Sequence, residues 1–307
     1  MAFNHLPAGV HDALAPLSVT PVTHSVPMAK NHRSDRPPTD TRSGTAAPGD
    51  VLDRLASGPS RASRITHTEH LPPRAGRHAV WPHRIRAEVI AAVRAAGIEH
   101  PWAHQARAAE HALDGESVVV ATGTASGKSL SYLVPVLSTL LDGSEAPNGR
   151  GATALYLAPT KALAADQCRS VKELSQPLGH SVRAAVHDGD TPFEEREWIR
   201  QYANYVLTNP DMLHRGILPS HPRWSSFLKA LKYVVIDECH TYRGVFGSHV
   251  AQVLRRLRRL CARYGASPVF LLASATAAEP AVAARRLTGL PVVEVADDAS
   301  PRGELVF

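Results

Sequence analysis

Residues 117–134 read SVVVATGTASGKSLSYLV, and this stretch decides the fold. A short strand pattern, Ser117–Ala121, leads through a loop of small residues into an apolar segment that begins at Lys128. A buried strand, a glycine-rich loop and a helix in this order form the context that a phosphate-binding loop requires. The backbone N–H groups of such a loop surround a phosphate, and the N-terminus of the helix adds its positive end.

The pattern of the loop predicts which of its residues bind ATP and Mg²⁺. We expect Lys128 to reach the β- and γ-phosphates of ATP and the Ser129 hydroxyl to ligate Mg²⁺. Five residues before the Gly-Lys pair the usual pattern has glycine, whereas this chain has Thr122. The predicted ATP-binding residues of the loop are Thr122, Gly123, Thr124, Ala125, Ser126, Gly127, Lys128 and Ser129.

An acidic motif follows a second buried strand. The strand pattern Tyr233–Asp237 runs into the sequence Asp-Glu-Cys-His at residues 237–240. Beside a phosphate loop, Asp237 can hold Mg²⁺ through water, and Glu238 can orient and deprotonate the attacking water. An isolated acidic pair in a loop is usually only solvated. The catalytic interpretation of this pair therefore depends on the phosphate loop in the same sheet. The predicted catalytic residues are Glu238, Asp237 and Lys128, and the predicted Mg²⁺ ligands are Ser129 and Asp237.

Short apolar runs alternate with helical patterns from about residue 100 onward. Uninterrupted apolar strands between helices indicate an α/β fold with a mostly parallel sheet and helices on both faces. Ligands on such sheets bind at the carboxyl ends of the strands. The other predicted strands are Thr153–Leu157, Val182–His187, Tyr205–Thr208, Val269–Ala273 and Val292–Val295. The predicted helices are Lys128–Leu141, Lys161–Ser175, Pro192–Tyr202, Ser248–Ala262 and Glu279–Leu287.

The N-terminal region has a different composition. Prolines are frequent there, and Phe3 is the only aromatic residue among the first 75. Such a segment buries too little apolar surface to offset the entropy of ordering it, so we predict disorder over residues 1–48. Residues 49–98 are predicted to be a helical extension, with one helix that Asp50 caps and another from about His83 to Ala96.

The charge and the remaining composition narrow the class of protein. A formal charge of +6 and a pI of about 9.4 suit a polyanionic partner, although an arginine-rich proteome would give the same values. Neither a signal peptide nor a run of 18 apolar residues is present, so we expect a cytoplasmic protein with no membrane association. The three cysteines form neither a disulfide framework nor a zinc pattern.

Four further segments, together with the phosphate loop and the acidic motif, resemble the DEAD/DEAH-box helicases of superfamily 2. APTKALA at residues 158–164 is similar to the family's Ia segment, and TNPDML at 208–213 is similar to its Ib segment. SAT at 274–276 matches the third motif, and Gln105 stands where the family's adenine-reading glutamine lies. The resemblance implies a RecA-like P-loop NTPase domain over residues 99–297 that uses ATP and Mg²⁺.

The same resemblance implies nucleic-acid contacts and a coupling contact. Hydroxyl, amide and ammonium donors in loops after strands suit phosphate oxygens. Such contacts bind the nucleic-acid backbone without recognising the bases. Local sequence alone would favour turn and cap roles for these residues. The implied nucleic-acid-binding residues are Thr160, Lys161, Thr208, Asn209 and Pro210, and the implied coupling residues are His240, Ser274 and Thr276. For the arginines of the predicted helix Ser248–Ala262, we prefer a solvated basic face to a DNA contact.

The text around the motifs resembles one branch of the family, the YprA/MrfA-like DNA-repair helicases. It includes HLPPR at 70–74, HDGDT at 187–191 and TYRGVFGSH at 241–249. The resemblance implies ATP-driven 3′-to-5′ movement on single-stranded DNA with strand separation, and RNA stays an alternative. It also implies a second RecA-like domain and a C-terminal cysteine-containing metal domain beyond this chain, with residues 298–307 as the start of the interdomain linker.

Two other classes of function stay open at this point. One is a motor that translocates on duplex DNA or on RNA without unwinding it. The other is a nucleotide-dependent nucleic-acid-binding module with no turnover of its own, because the helicases of this superfamily complete their ATP site with an arginine from the second RecA-like domain.

Overall fold

The computed structural model describes residues 48–57, 65–276 and 278–306. The predicted disordered segment, residues 1–48, lies outside the described residues except for its last residue. From Pro48 onward the described residues belong to one compact unit.

A seven-stranded parallel sheet forms the centre of the molecule and confirms the predicted α/β class. The strands are β1 His70–Leu71, β2 Val118–Ala121, β3 Thr153–Leu157, β4 Ala184–Val186, β5 Tyr205–Thr208, β6 Leu231–Ile236, β7 Val269–Ser274, β8 Val293–Val295 and β9 Leu305–Val306. The strand order of the sheet is β4-β5-β3-β6-β7-β2-β8, so the strand before the phosphate loop lies between β7 and β8. A separate two-stranded antiparallel ladder joins β1 to β9.

Helices cover both faces of the sheet. The helices are α1 Pro48–Ala56, α2 Ala87–Ala95, α3 Ala103–Leu113, α4 Lys128–Ser144, α5 Lys161–Ser175, α6 Phe193–Tyr202, α7 Pro210–Met212, α8 Ser225–Lys229, α9 Gly244–Arg263 and α10 Pro280–Thr288. On one face, α2 to α5 share a buried core, and on the other face α6, α8, α9 and α10 share a second core. Among the described residues, no helix combines the length and the apolar character needed to cross a bilayer.

The strand sequences explain why two faces are covered. Side chains alternate across a strand, so Tyr233 and Val235 of β6 pack into the core on the α2–α5 side. Val234 and Ile236 of the same strand pack into the opposite core. All four side chains are buried, as expected for a strand that has helices on both sides.

Three predicted helix starts differ from the structure. Asp50 lies in the first turn of α1 and is not its N-cap, although a carboxylate there still favours the helix. α2 begins at Ala87, because the N–H of Ile85 binds the carbonyl of Pro82 in a turn and Arg86 is extended. α9 begins at Gly244, one turn before the predicted start at Ser248.

The ends of the described domain meet in a feature that we call the terminal strap, which joins residues 70–77 to residues 297–306. Backbone hydrogen bonds link Arg74 and Arg302 in both directions, at 2.8 and 2.9 Å. The N–H of Arg77 donates to the carbonyl of Ala299 at 2.8 Å, and its guanidinium pairs with Asp297. The segment predicted as the start of a linker thus packs against the domain in this structure.

Candidate nucleotide site and nucleic-acid edge

The phosphate loop joins the end of β2 to the start of α4. Gly127 has a φ of 75°, and a Cβ atom there would lie 2.6 Å from the side-chain nitrogen of Gln105, so only glycine fits. Ala125 also has a positive φ, 62°, in a region that L-residues other than glycine, Asn and Asp seldom occupy. Such local strain is common at ligand-binding sites.

The side chains of Thr122 and Lys128 form hydrogen bonds to other residues of the phosphate loop. The hydroxyl of Thr122 is buried and lies 2.7 Å from the hydroxyl of Ser126, which gives a side-chain role to the position where glycine is usual. The ammonium of Lys128 donates to the carbonyl of Gly123 at 2.7 Å and to the carbonyl of Thr122 at 3.1 Å. The predicted phosphate-binding lysine therefore lies over the loop that would hold the phosphates.

Gln105 lies beside the loop but is buried, with 1% of its surface exposed. Its side-chain oxygen accepts a hydrogen bond from the N–H of Trp102, and its side-chain nitrogen donates to the carbonyl of Gly127, both at 2.9 Å. Both ends of the amide are thus bound to backbone, and Gln105 holds the loop in place. Its contact with adenine stays a prediction.

Asp237 lies at the end of β6 and is held by two buried tyrosines that the sequence analysis missed. Its Oδ2 accepts hydrogen bonds from Tyr156 at 2.7 Å and from Tyr132 at 3.1 Å. Its Oδ1 accepts from the N–H of Glu238 at 2.9 Å. Burial is the largest cause that raises the pKa of both tyrosine hydroxyls, and the negative charge of Asp237 adds to it, so they stay protonated and donate.

The predicted Mg²⁺ ligands, Ser129 and Asp237, lie on two elements that contact each other. Ser129 is in the first turn of α4, and the hydroxyl of Tyr132 in the same helix donates to Oδ2 of Asp237 at 3.1 Å. This contact links the helix that carries a hydroxyl at its start to the strand that has a carboxylate at its end. Oxygen atoms of this kind are the ligands that Mg²⁺ prefers, so the residues present fit the ion.

Glu238 and His240 follow Asp237 in the acidic motif. Glu238 has a φ of 48°, the left-handed conformation, and its side chain is 39% exposed at the site. Nδ1 of His240 accepts a hydrogen bond from the N–H of Ala275 at 3.2 Å and lies 3.2 Å from Oε2 of Glu238. One ring nitrogen carries either a lone pair or a proton, so only one of these contacts is a hydrogen bond at a time.

The coupling contact therefore differs in detail from the expected one. His240 contacts the backbone of the third motif, whereas the hydroxyl of Ser274 turns to the carbonyl of Ala275 at 2.8 Å. Thr276 is exposed. The roles of Ser274 and Thr276 in coupling stay predictions.

Asp298, in the terminal strap, is a second residue that the sequence analysis missed. Its Oδ2 accepts a hydrogen bond from the N–H of Gly123 in the phosphate loop at 3.2 Å, and its Oδ1 accepts from Ser300. Arg74 lies 3.4 Å from the same carboxylate. Burial opposes ionisation, but hydrogen bonds from Ser300 and Gly123 outweigh it and hold the pKa of Asp298 below its usual value. No local pattern connects residues so far apart in sequence.

We call Thr160, Lys161, Thr208, Asn209 and Pro210 the nucleic-acid edge, and two of these residues cap helices. The hydroxyl of Thr160 accepts a hydrogen bond from the N–H of Leu163 at 3.2 Å at the start of α5. The side-chain oxygen of Asn209 accepts from the N–H of Met212 at 2.8 Å at the start of α7.

The other three residues of the nucleic-acid edge are also buried or already paired. Thr208 is fully buried, and its hydroxyl donates to the carbonyl of His187 at 2.5 Å. Pro210 is also buried. Lys161 is exposed, and its ammonium pairs with Asp190 at 2.7 Å. The edge lies at the carboxyl ends of β3 and β5, as predicted, but it offers a strand of nucleic acid one ammonium that already has a carboxylate partner.

Comparison with known proteins relates these features to a family. The model of the DEAD/DEAH box helicase family matches residues 102–284. The chain is 42% identical over 256 residues to the uncharacterized ATP-dependent helicase YprA of Bacillus subtilis, across 83% of this chain and 33% of that protein. It is 39% identical over 260 residues to the ATP-dependent helicase HRQ1 of Saccharomyces cerevisiae, across 82% of this chain and 23% of that protein.

A solved structure shows the same likeness. The crystal structure of the DUF1998 helicase MrfA bound to DNA has a TM-score of 0.78 and 40% identity, across 86% of this chain and 36% of that chain. These relatives agree with the YprA/MrfA-like branch that the flanking sequences indicated. The chain spans about a third or less of the length of each of these three relatives.

Proposed function

Because the chain belongs to the DEAD/DEAH-box helicase family, we propose that it is the ATP-binding motor domain of an ATP-dependent DNA helicase. The observation that carries the proposal is the hydrogen bond from Tyr132 of α4 to Asp237, because it links the helix that begins at Lys128 to the acidic pair at the end of β6. This arrangement joins a phosphate loop to an acidic pair across the sheet. It supports binding of Mg-ATP and phosphoryl transfer to water.

Each side chain has a defined task in that reaction. Lys128 exchanges its hydrogen bonds to loop carbonyls for hydrogen bonds to phosphate oxygens and neutralises part of their charge. Asp237 and Ser129 would hold Mg²⁺, which neutralises charge on the β- and γ-phosphates when bound. Glu238 orients the attacking water and accepts its proton.

The opposite side of the γ-phosphate needs a further cation. We propose that a second RecA-like domain of the full-length protein supplies an arginine there, since Arg243 and the arginines of α9 follow β6 on the domain that already holds the acidic pair. An arginine finger contributes roughly 10³–10⁵-fold in rate, which is about 4–7 kcal/mol of barrier.

The nucleic-acid partner we propose is single-stranded DNA. The position of the nucleic-acid edge at the carboxyl ends of β3 and β5 supports it, as does the similarity to a helicase whose structure was determined with DNA. Binding through phosphates is independent of sequence and weakens with salt, because it releases counterions. Movement along the strand would then be coupled to ATP through the contact between His240 and the third motif.

The test is ATP turnover by the purified chain with and without single-stranded DNA. We expect the chain to bind Mg-ATP, to show at most a trace of hydrolysis and to be stimulated hardly at all by DNA. Fusion of the second RecA-like domain of a relative in the same branch should restore stimulated turnover. Robust DNA-stimulated turnover by a confirmed monomer of this chain alone would show that the catalytic arginine lies inside it and would overturn the two-domain mechanism.

A further inference from the structure

Unlike the nucleic-acid edge itself, the surface next to it carries arginine side chains that have no carboxylate partner among the described residues. A groove of about 560 Å³ begins at Pro210 and Asp211 and runs along α9. Its lining includes Arg215, Phe246, Arg256 and Arg259, and we call it the arginine groove. Pro210 belongs to the nucleic-acid edge, so the groove begins next to the edge.

Four of the five arginines of α9 fall into two pairs with different surroundings. Arg255 and Arg258 donate hydrogen bonds to carbonyls at the end of α10, between residues 286 and 289. Arg256 and Arg259, one position further along the helix in each case, line the groove. Within the described part of the chain, their guanidinium groups and that of Arg215 contact neither a carboxylate nor a hydrogen-bond acceptor. The first pair stabilises the fold, and the second leaves charge available for a ligand.

An aromatic side chain completes the lining. Phe246 is 47% exposed, and its ring centre lies 5.7 Å from that of Tyr242, which is buried beneath it. A half-exposed ring on a buried support offers a face on which a base can stack. Cationic side chains along a groove and an aromatic face within it are the two elements by which proteins bind single strands without reading sequence.

We propose that the arginine groove binds single-stranded DNA and carries the strand onward from the nucleic-acid edge, with Arg215, Arg256 and Arg259 on phosphates and Phe246 on a base. Charge favours this occupant, because three arginines and a single carboxylate, Asp211, line the groove. The inference rests on the proposed function and adds a binding site to it. It also replaces the solvated basic face that the sequence favoured for part of α9.

Fluorescence anisotropy of labelled dT20 with the full chain tests the groove. In Arg256→Gln/Arg259→Gln, we expect affinity at 0.1 M salt to fall about 25-fold and the slope of log K against log salt to shrink by about 1.4, since each phosphate contact of a single strand contributes about 0.7. Phe246→Ala should weaken binding about tenfold with an unchanged salt slope, because stacking releases no counterions.

The matched control is Arg263→Gln/Arg286→Gln, which removes the same charge at two exposed positions outside the groove lining. We expect less than a threefold effect in this variant. A dT20 substituted with 5-iododeoxyuridine should also crosslink to the peptide that contains Phe246.

Three outcomes would overturn the proposal. Equal binding by the groove variant and the control variant would do so while leaving the proposed function intact. Crosslinks confined to the nucleic-acid edge would have the same meaning. If the unmodified chain fails to bind dT20 even at low salt, the proposed nucleic-acid function fails, and the groove proposal falls with it.

Discussion

At the nucleotide site, contacts link one motif to another, whereas at the nucleic-acid edge two of the five side chains serve as helix caps. Gln105 donates to the phosphate loop, Asp237 accepts hydrogen bonds from Tyr132 and Tyr156, and His240 contacts the third motif. Thr160 and Asn209 instead cap the helices that they precede. The comparison shows that a motif can lie where the sequence predicts while its side chains stabilise the fold. Ligand contacts must then come from neighbouring residues.

The largest effect that the comparison predicts is at Lys128. Lys128→Ala removes an ammonium that would form charge-assisted hydrogen bonds to two phosphates, so Mg-ATP affinity should fall about hundredfold or more. Equilibrium binding of a fluorescent ATP analogue measures this, and the thermal midpoint of unfolding checks that the fold persists. An unchanged affinity in a folded variant would show that residues 122–129 are not a nucleotide-binding loop.

A smaller effect is expected at Tyr156, which tests whether contacts between segments matter at the nucleotide site. Tyr156→Phe leaves Asp237 with one hydroxyl donor fewer, and the loss of a hydrogen bond to a buried charged group costs about 1.5–3 kcal/mol of stability. The Mg²⁺ concentration for half-maximal nucleotide binding should rise about tenfold, as when a residue that orients a metal ligand is removed.

The matched control for Tyr156 is Tyr205→Phe. Tyr205 is equally buried in the same sheet, but its hydroxyl has no hydrogen-bond partner among the described residues. This change should leave the Mg²⁺ dependence as it is and should not lower stability. If both variants shift the Mg²⁺ dependence alike, the effect reflects general packing, and Tyr156 does not position Asp237.

The smallest effect is expected at Asn209, on the nucleic-acid edge. Asn209→Ala removes the cap of α7 and should cost about 1 kcal/mol in the free energy of unfolding. Binding of dT20 should change less than twofold, whereas Lys161→Ala should weaken it about fivefold at 0.1 M salt through one lost phosphate contact. Chemical unfolding and anisotropy measure the two quantities. A larger loss of DNA binding for Asn209→Ala than for Lys161→Ala would reverse the comparison.

Local pattern predicted most of the fold. Strands such as Thr153–Leu157 and helices such as Lys161–Ser175 match the structure residue for residue, because an apolar run or a helical period is a property of adjacent positions. The two-residue strands of the terminal strap escaped prediction, since two residues are too few to show a period.

The candidate site was predictable only in its motifs. Tyr132 and Tyr156 read as ordinary core residues in a helix and a strand, and only the tertiary fold brings their hydroxyls to Asp237. Asp298 meets the phosphate loop from 175 residues away along the chain. The burial of Thr208 was equally invisible, because a threonine after a strand can point to solvent or to a neighbouring carbonyl.

The position of β2 between β7 and β8 has a consequence for the order of events on the ribosome. Val118, in the strand that leads into the phosphate loop, pairs with Leu271 and with Val293. At a synthesis rate of ~5–20 residues per second, the 175 residues from Val118 to Val293 take roughly 9 to 35 s to emerge. For the first 153 of those residues, until Leu271 is made, this apolar strand has neither of its sheet neighbours, and strands in this condition aggregate readily. The strand before the phosphate loop obtains its second neighbour only when Val293 is made, so a late part of the chain completes the sheet around the nucleotide site.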